Sequence, residues 1–486
     1  MLFNSYIFIF LFLPITLIGY YSCNRLHRYK LAQIWLVLMS LWFYGYFNPS
    51  YLAIMLSSIV INYLVYRMMA TRQDIAWRKI VLAVGLLFNV GLIFYFKYYD
   101  FFVENINAVF STDLVLKHIL LPLGISFFTF QQISFIVDVY RGEVGEYSFV
   151  EYALFVTFFP QLIAGPIVTH AEIIPQFQEE HRKRLDVALC SKGAVLFILG
   201  LFKKVIIADT FGQAVNWGYE NIAILDSTNA ILVMLFYAMQ LYFDFSGYCD
   251  MARGIGYFFG IEIPINFNSP YKAVNIVDFW KRWHITLNRF MTQYVYIPLG
   301  GNRKGVFRTY LNLFAIFLVS GIWHGAGWTY IIWGVMHGVA YILTRMSMKW
   351  LNKIPTLITG AVTFLFFNIS IIYFRAQSVW QANQMISNIT KWQFGPIQKD
   401  LAKHFNLDEF WYILKILHLD TGTYSQVYLC IAFLIGALFT VFCCKNASEI
   451  AQRFHPKAWN AVLLACLLAW CVASFSGVST FLYFNF

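Results

Sequence analysis

Long apolar runs, repeated along the whole chain, restrict the fold of this protein more than any other feature of its sequence. A helix needs about 20 apolar residues to cross the roughly 30 Å of hydrocarbon in a bilayer, and many of the runs approach that length. Such runs are typical of transmembrane helices, so the sequence predicts an all-α polytopic membrane protein. The runs cover residues 5–22, 31–47, 51–69, 80–98, 119–138, 192–211, 228–246, 309–321, 328–346, 356–374, 425–443 and 458–476.

The composition agrees with a surface that faces lipid. Hydrophobic residues make up 60% of the 486 residues and charged residues only 12%, whereas soluble domains are about 25% charged. We therefore interpret residues 1–486 as one integral-membrane domain rather than several soluble domains. The first run has no basic segment before it and no clear small-residue cleavage site, which predicts a retained helix instead of a removed signal peptide.

Basic residues outnumber acidic residues by 35 to 24, which gives a formal net charge of +11. They cluster in short loops between the apolar runs, a pattern that sets membrane orientation and does not indicate nucleic-acid binding. Placing these loops in the cytoplasm predicts that both termini are extracytoplasmic and that the protein lies in the plasma (inner) membrane. The assignment requires residues 149–168, with the helix-breaking sequence FFPQLIAGPI, to re-enter the membrane without crossing it.

Two longer polar stretches, residues 99–117 and 378–424, then lie on the external side. The second is predicted to begin as an amphipathic helix and to continue as a loop. It is either a solvated cap resting on the membrane or a docking surface for an external partner. The eight cysteines include no CxxC pair, so we expect reduced, structural thiols and neither a disulfide framework nor a metal site.

A helical wheel over Asp278–Tyr294 places His284 within an apolar face. Asp278 and Arg282, four residues apart on the opposite face, form a predicted ion pair. The segment is therefore expected to be one helix that turns His284 toward the protein interior. There it is either a core histidine bound to a carbonyl or part of a reactive site. The basic face would meet lipid head groups or an anionic ligand such as a coenzyme phosphate.

His324 lies in the sequence SGIWHGAGW. Gly325 and Gly327 permit backbone geometry that a regular helix would resist. A histidine at membrane depth beside a helix break indicates a functional site, because burying a polar ring in lipid is costly. Imidazole is also the commonest general base for deprotonating a hydroxyl. The sequence therefore favours His324 as the base.

Further polar residues accompany these two histidines. In a continuous helix, His337 would lie about 20 Å from the histidine of the WHG string, so we interpret it as a packing residue or supporting partner. Asp244 and Asp250 follow or end an apolar run, and an acid at membrane depth needs a partner. We expect that partner to be Arg253 or a residue of helix 278–289, and we favour a structural use over the orientation of a histidine.

Five strings occur in the order FFPQLIAGPIVTHAEIIPQF, FDFSGYCDMARGIG, INFNSPYKAVNIVDFWKRWHITL, YIPLGGNRKG and WHGAGWTYIIWGVMHG. Together they resemble the bacterial membrane-bound O-acyltransferase family, specifically its alginate O-acetyltransferase AlgI-like branch. The earlier LPLGISFFTFQQISFIVDVYRG and the terminal STFLYFNF resemble the same branch. The resemblance extends from about residue 90 to the end, with its core motifs at about 119–346.

The resemblance implies a disc of about eleven transmembrane helices with re-entrant segments around a central funnel. It implies that His324 is catalytic and that His284, in the RWH string, is also required. Members of this branch move an acetyl group from a cytoplasmic donor, acetyl-CoA, toward an extracytoplasmic polysaccharide. Transfer commonly passes through a separate periplasmic or extracellular acetyl-transfer protein. This chain departs from the usual pattern at Cys249 and after RWHITL, which leaves fine substrate and partner specificity open.

We expect the thioester donor to enter from the basic cytoplasmic face and to be held without any tightly bound cofactor. Basic side chains on that face would attract the phosphates of the donor. The candidate donor-binding residues are Lys281, Arg282, Arg303 and Lys304.

The acceptor hydroxyl would enter from outside and lose its proton to His324. The resulting oxyanion needs a hydrogen-bond donor, for which Trp323, Asn268 and a backbone N–H at the glycine break are the candidates. His284 would bind the donor or orient His324. The remaining candidate supporting residues are Asp278, Asp244 and His337.

Three alternative functions follow from the same features. A transporter or flippase would also have many spans and isolated titratable residues, but repeated halves and a charge relay across the bilayer are not apparent. Transfer of D-alanine from a carrier protein to teichoic acid would keep the fold and change the acyl group, although YIPLGGNRKG favours the acetyl branch. A purely structural scaffold fits poorly with the helix-breaking WHG string.

Overall fold

The computed structural model describes residues 1–72, 74–406, 415–416, 423–477 and 481–482. Within these ranges the chain is helical and contains no β-strand, which confirms the predicted all-α class. Numbered in chain order, the α-helices are α1 (Leu13–Arg25), α2 (Tyr29–Gly45), α3 (Ser50–Thr71), α4 (Ile75–Ile93), α5 (Tyr99–Phe110), α6 (Ile125–Arg141), α7 (Phe149–Thr157), α8 (Phe159–Leu162), α9 (His170–Gln178), α10 (Val187–Phe202), α11 (Asp209–Glu220), α12 (Ser227–Phe258), α13 (Ile276–Arg282), α14 (Ile285–Met291), α15 (Val306–His324), α16 (Trp328–Met346), α17 (Met348–Leu351), α18 (Thr356–Arg375), α19 (Val379–Thr390), α20 (Lys399–Ala402), α21 (Thr423–Cys443), α22 (Ala447–Gln452) and α23 (Ala458–Ala473).

Each of the predicted apolar runs overlaps a helix of the described chain. Seven helical segments among the described residues are long and apolar enough to cross a membrane, and the protein is therefore a multi-pass membrane protein. The larger number of about eleven spans, and their arrangement around a funnel, stay predictions. The seven segments are Phe8–Arg25, Ser50–Thr71, Ile75–Phe110, Ser227–Phe258, Val306–His324, Thr356–Arg375 and Ser425–Cys443.

The predicted helix break between residues 149 and 168 is confirmed. A capping box starts α7, in which the Ser148 hydroxyl accepts from the Glu151 N–H at 3.3 Å and the Glu151 carboxylate accepts from the Ser148 N–H at 2.9 Å. Phe158 then leaves the helical conformation, with φ −50° and ψ 106°, and the four-residue α8 follows. The backbone has no regular structure between α8 and α9. Whether the segment re-enters the membrane stays a prediction.

The described chain forms two compact units, of which the first comprises residues 1–197, 251–265 and 292–294. Aromatic rings from α2, α8 and the segment before α1 form part of its core. The Phe12 and Phe159 ring centroids lie 5.1 Å apart, and those of Phe43 and Phe159 lie 5.4 Å apart. Asn62 of α3 and Asn89 of α4 exchange two buried side-chain hydrogen bonds of 2.7 and 3.2 Å, the kind of polar link that joins helices in apolar surroundings.

The second unit comprises residues 198–250, 266–291 and 295–486, apart from the undescribed residues within it. A π-helical segment, Lys203–Ala208, extends α10 and carries two lysines that pair with buried carboxylates. Lys204 Nζ lies 2.6 Å from Asp244 and 2.8 Å from Asp209. The expected partners of Asp244 were therefore wrong, because its charge is neutralised by a lysine of the π-helical segment that extends α10.

The same correction applies to Asp250. Its carboxylate lies 2.6 Å from Lys203 Nζ in the second unit. Arg253, which was expected to pair with one of these acids, instead donates from Nε to the Ile263 carbonyl at 3.1 Å within the first unit. Because an ion at membrane depth is stable only when paired, the lysines of the π-helical segment are the structural counterpart of both carboxylates.

The predicted amphipathic helix is confirmed as α19, while its placement on the external side stays a prediction. The Ser378 hydroxyl caps it by accepting from the Gln381 N–H at 3.1 Å, and Ala382 and Met385 on one face are buried while Trp380 is exposed. Much of the predicted loop that follows, residues 407–414 and 417–422, lies outside the described residues. The same holds for most of the terminal STFLYFNF string, of which residues 481 and 482 are described.

Candidate active site

His284 lies at a sharp break between two short helices. The expected continuous helix over Asp278–Tyr294 was wrong, because α13 ends at Arg282, α14 begins at Ile285, and a π-helical turn follows α14. The break has a local cause, since His284 has φ +47°, a left-handed conformation that costs a side-chain-bearing residue about 1–3 kcal/mol. His284 is fully buried, which confirms that it faces the interior.

The ion pair of α13 is as the sequence predicts, whereas the helix begins at Ile276, two residues before the expected start. Asn275 caps the helix through its Oδ1, which accepts from the Asp278 N–H at 2.8 Å. Arg282 Nε lies 3.0 Å from both carboxylate oxygens of Asp278, so the predicted pair is confirmed. These contacts fix α13 directly before the break at His284, while the guanidinium also reaches the Asn268 carbonyl at 3.4 Å.

Asn266, in the loop before α13, holds the His284 ring. Its Oδ1 lies 3.2 Å from His284 Nδ1 and also accepts from the backbone N–H and the hydroxyl of Thr286, at 3.2 and 3.0 Å. A backbone N–H can only donate, so this oxygen is an acceptor and the His284 Nδ1 must carry the proton. The lone pair of the neutral ring is therefore on Nε2. The Asn266 amide nitrogen in turn donates to Cys249 Sγ at 3.4 Å.

His324 is the last residue of α15 and is also buried, with 3% of its surface exposed. Its Nδ1 lies 2.6 Å from the Ser320 carbonyl oxygen one turn earlier. A carbonyl oxygen only accepts, so Nδ1 is the donor and Nε2 carries the lone pair of the neutral ring. The break after His324 needs glycine, because a Cβ on Gly325 would lie 2.1 Å from the ring of Tyr330.

Close packing of α15 against α16 sets the position of His324. A Cβ on Gly321 would lie 2.5 Å from the Tyr330 carbonyl oxygen and 3.0 Å from Gly334 Cα. A Cβ on Gly334 would lie 2.7 Å from the Phe317 carbonyl oxygen. The two backbones therefore approach each other through paired glycines, the way that small residues bring membrane helices together.

His337 has the opposite proton arrangement. Trp280 Nε1, which only donates, lies 3.3 Å from His337 Nδ1, so Nδ1 carries the lone pair. His337 Nε2 then donates to the Ser370 hydroxyl at 2.9 Å, and that hydroxyl donates to the Phe367 carbonyl at 2.7 Å. Both ring nitrogens are engaged in the core, which fits the interpretation of His337 as a packing residue or supporting partner.

Aromatic rings enclose the two histidines whose Nε2 atoms carry the lone pair. The His284 and His324 ring centroids lie 6.4 Å apart. Trp323 lies 5.0 Å from His324 and 6.2 Å from His284, and Trp333 lies 5.1 Å from His324. Trp333 also lies 4.6 Å from His337, so the break between α15 and α16 returns that histidine to the same cluster instead of leaving it about 20 Å away.

His284 lies outside the seven apolar helices that are long enough to span a membrane. Burial, together with the nearby His324 imidazole, lowers the pKa of His284 well below its usual value of 6.5. Both causes disfavour the charged form of the ring. His284 is therefore neutral at physiological pH, and a proton gained by either histidine makes protonation of the other less favourable.

Several predicted site residues lie apart from the histidines. Asn268 is exposed and accepts from the Asn446 side chain at 3.2 Å. Asp244 is engaged by Lys204 and by the Leu482 N–H at 3.0 Å. The structure thus brings His284, His324 and Trp323 together but does not bring these two residues to them. The candidate donor-binding residues are exposed or half-buried basic side chains in the second unit, namely Lys281, Arg282, Arg303 and Lys304.

Two residues that sequence reasoning missed belong to this cluster. Asn266 was overlooked in favour of Asn268, although both stand in the string INFNSPY. Trp333 is 3% exposed, and its Nε1 has no hydrogen-bond partner among the described residues. A tryptophan nine residues after a histidine carries no periodic signal, because the intervening helix break decides which residues meet. The sequence signal that could have indicated this packing is the pair of glycines, Gly321 and Gly334, one in each of the two helices that approach closely.

The chain matches the model of the MBOAT, membrane-bound O-acyltransferase family over residues 115–379, which includes the predicted core motifs at about 119–346. It is 40% identical to the peptidoglycan O-acetyltransferase of Helicobacter pylori over 100% of this chain and 98% of that protein. It is 36% identical to a protein of Pseudomonas aeruginosa named probable alginate O-acetylase AlgI, over 89% of this chain and 81% of that protein.

A more distant similarity joins the chain to an enzyme that transfers a different acyl group. The teichoic acid D-alanyltransferase of Bacillus subtilis is 31% identical over 50% of this chain and 66% of that protein. The family model covers more than half of the present chain, and the Helicobacter relative matches its whole length. This chain therefore belongs to the membrane-bound O-acyltransferase family and is an O-acyltransferase.

Proposed function

We propose that this enzyme transfers an acetyl group from a cytoplasmic thioester donor, acetyl-CoA, to a hydroxyl of an extracytoplasmic polysaccharide or of an acetyl-relay partner protein. The observation that carries the proposal is the buried pair His284 and His324, each with Nδ1 bound to an acceptor and the lone pair on Nε2. The relatives named peptidoglycan O-acetyltransferase and alginate O-acetylase support the acetyl group and the polysaccharide.

In this mechanism His324 is the general base. Its Nε2 takes the proton of the acceptor hydroxyl while the hydroxyl oxygen bonds to the thioester carbonyl carbon. The tetrahedral oxyanion then collapses, the carbon–sulfur bond breaks, and the proton passes from the imidazolium to the leaving thiolate. The Ser320 carbonyl supports this role because it fixes the Nδ1 proton and stabilises the imidazolium that forms.

His284 acts on the same reaction centre as a neutral, polar group. Asn266 fixes its ring, and the lowered pKa keeps it uncharged when His324 gains a proton. A second imidazolium beside the first would oppose proton transfer, so a neutral His284 favours the step. Its Nε2 is the atom that we assign to contact the donor or the acceptor hydroxyl.

The oxyanion needs a hydrogen-bond donor aimed at the place where charge develops. Trp333 supplies one in this proposal, because its indole N–H is buried and has no partner among the described residues, and its ring lies 5.1 Å from His324. Trp323 and a backbone N–H at the glycine break remain candidates for the same role. A buried donor without a partner is costly in the resting protein, and a substrate carbonyl would satisfy it.

We place the protein in the plasma (inner) membrane, with both termini extracytoplasmic, as the basic loops predict. The acceptor polymer to test first is peptidoglycan, since the relative so named is similar over the whole of this chain. The second candidate, D-alanyl transfer to teichoic acid, is supported by similarity over only half of the chain. The acetyl reaction is therefore the stronger proposal.

The proposal is tested by acetyl transfer to cell-wall polysaccharide in cells that carry His324→Ala or His284→Ala at matched membrane levels. Acetate released from the isolated polymer by mild base measures the product. The rate of acetyl transfer by the His324→Ala variant should be at least about 100-fold lower than that of the wild type, as expected for a general base. The exposed His455 provides a control, since His455→Ala should retain the wild-type rate. Normal transfer by the His324 variant would exclude it as the base.

The donor is tested separately. Membranes are supplied with radiolabelled acetyl-CoA or with a D-alanyl carrier-protein thioester, and label in the polymer is counted. Acetyl-CoA binding to the purified enzyme should weaken as salt rises if exposed basic side chains attract its phosphates. Label from the D-alanyl donor alone would assign the second function, and salt-independent binding would contradict a role for Lys281, Arg303 and Lys304.

A further inference from the structure

A basic cavity lies at the end of the first apolar helix, within the first compact unit. The apolar segment Phe8–Arg25 ends at Arg25, and α2 begins only four residues later at Tyr29. The turn between them is tight, and His27 within it has φ +56°. The cavity has a volume of about 370 Å³, and its lining includes Arg25, Tyr29, Glu180, Lys183, Arg184 and Leu185.

The lining of the cavity carries more positive than negative charge, because it contains three cationic side chains and one carboxylate. Arg25, Lys183 and Arg184 line it, and none of them lies within 4 Å of a carboxylate oxygen in the described part of the chain. The neighbouring Arg182 differs, because its guanidinium pairs with the carboxylates of Glu179 at 2.6 Å and Glu262 at 3.2 Å. Three cations against the single carboxylate of Glu180 leave the lining of the cavity with a net positive charge, which favours an anionic ligand.

The one acidic side chain of the cavity is already engaged. Glu180 accepts from the Tyr29 hydroxyl at 3.2 Å, and His27 Nδ1 lies 2.9 Å from the same hydroxyl. Because the Tyr29 proton goes to Glu180, the phenol oxygen accepts from His27. Lys183 Nζ lies 3.9 Å from the centroid of the Tyr29 ring, a cation–π contact that holds the ammonium at the wall of the cavity.

The surroundings of the cavity indicate where its ligand comes from. The apolar helix that ends at Arg25 places the cavity at the boundary between hydrocarbon and water. Leu185 lines the cavity and is 61% exposed. Leu26, which follows the lining residue Arg25 in the sequence, is 72% exposed. Cations that adjoin exposed aliphatic side chains match a ligand with a phosphate head and hydrocarbon chains.

We propose that this cavity binds the phosphate group of an anionic membrane phospholipid. Arg25, Lys183 and Arg184 contact the phosphate oxygens, since Arg and Lys form charge-assisted hydrogen bonds with phosphate. The acyl chains lie along Leu185 and the apolar helix. The site is separate from the two reactive histidines in sequence and belongs to the other compact unit.

The test uses the purified full-length enzyme in a non-ionic detergent and measures lipid binding by native mass spectrometry. Wild-type protein should bind phosphatidylglycerol more tightly than zwitterionic phosphatidylcholine. Substituting Lys183→Ala together with Arg184→Ala should raise the dissociation constant for phosphatidylglycerol by about 30-fold. The single variant Arg184→Gln, which keeps a polar side chain, should raise it by about fivefold and serves if the double variant does not fold.

A matched pair of substitutions controls for general surface charge. Arg28 and Lys30 belong to the same segment, are exposed and do not line the cavity. Arg28→Ala with Lys30→Ala removes the same charge and should change the dissociation constant by less than about threefold. Equal losses in both double variants, or equal binding of the two lipids by wild type, would overturn the proposal.

Sodium pyrophosphate distinguishes a lipid from a soluble phosphate ligand. In the same detergent it should displace phosphatidylglycerol only weakly, because it lacks the hydrocarbon chains that contact Leu185. If pyrophosphate instead bound more tightly than the lipid, and with the same dependence on Lys183 and Arg184, the cavity would be a site for a soluble phosphate compound. That result would overturn the assignment to a phospholipid.

Discussion

Asn266 Oδ1 lies 3.2 Å from His284 Nδ1 and fixes which nitrogen of that buried imidazole carries the proton. The same oxygen accepts two hydrogen bonds from Thr286, the second residue of α14, so the start of that helix and the ring are positioned by one amide. His284 itself has φ +47° and would not hold its place by helix propagation. Orientation of His284 therefore depends on a side chain eighteen residues earlier.

Substituting Asn266→Ala should lower acetyl transfer by about 100-fold at matched membrane levels, because misplacing a reactive group by about 1 Å costs that much. Substituting Asn266→Asp should keep part of the activity and change its pH dependence. A carboxylate beside His284 favours the imidazolium and raises the pKa of the ring, so the acidic limb of the pH–rate profile moves to higher pH. An acidic limb that stays in place would exclude a positioning role. The exposed Asn383→Ala is the control.

Trp333 should contribute through its N–H and not only through its ring. Trp333→Phe keeps an aromatic side chain in contact with His324 and His337 but removes the indole N–H. If that N–H stabilises the oxyanion, kcat should fall by about 100- to 1,000-fold while the KM for the donor changes little. If Trp323→Phe showed this fall in kcat and Trp333→Phe had no effect, the hydrogen-bond donor to the oxyanion would be Trp323 instead.

His337 should matter for stability and little for turnover. In His337→Phe the Trp280 N–H loses its acceptor, at a cost of about 1–3 kcal/mol for a buried unsatisfied group. The Ser370 hydroxyl loses the hydrogen bond from His337 but keeps its own bond to the Phe367 carbonyl. We expect a lower apparent Tm in detergent and less protein in the membrane. Activity per folded molecule should fall less than tenfold, in contrast to His324→Ala. A loss of 100-fold per folded molecule would place His337 in the reaction.

The buried ion group around Lys204 should be intolerant of losing its cation. Lys204→Met leaves the carboxylates of Asp209 and Asp244, each at most 5% exposed, without their shared ammonium. Removing one partner of a buried ion pair destabilises a protein by about 3–5 kcal/mol, so we expect a strong fall in apparent Tm and in membrane level. Lys349→Met, at an exposed position, controls for the substitution. Equal stability of the two variants would contradict the importance of the buried pair.

The sequence was sufficient for the helices and for the helix break that follows His324. Apolar runs determine the helical segments because hydrocarbon admits few alternatives. The glycine after the histidine in the WHG string predicted the end of the helix at that point. The structure gives the reason, because a side chain on Gly325 would collide with the Tyr330 ring. The Asp278 and Arg282 pair followed from helical spacing alone.

Contacts between distant segments were not predictable in the same way. His284 takes a left-handed conformation because Asn266 and Thr286 hold the loop around it, and helical periodicity carries no information about such a tertiary constraint. The partner of Asp244 was missed for a similar reason. Lys204 stands in a π-helical segment 40 residues before that acid, and helical periodicity does not predict a contact over such a distance.

The close approach of α15 and α16 should be the feature of this site least tolerant of an added methyl group. In Gly321→Ala the new Cβ would lie 2.5 Å from the Tyr330 carbonyl oxygen and 3.0 Å from Gly334 Cα. Both obstacles are backbone, so the helices must separate, at a cost of about 1–3 kcal/mol. His324 lies one turn after Gly321, and its alignment with Trp333 and His284 changes with that separation. We expect a lower apparent Tm and a fall in acetyl transfer of at least about tenfold.

The matched control for that substitution lies in α21. Gly436 is also helical and exposed, but a Cβ there would meet no atom of the described residues within 4 Å. Gly436→Ala should leave activity unchanged and should leave the apparent Tm equal or slightly higher, because alanine restricts the unfolded chain and favours the helix. If Gly321→Ala behaved like Gly436→Ala in both measurements, the position of His324 would not depend on the paired glycines. If only Gly321→Ala lost activity, the distance between the two backbones would be a determinant of the reactive geometry.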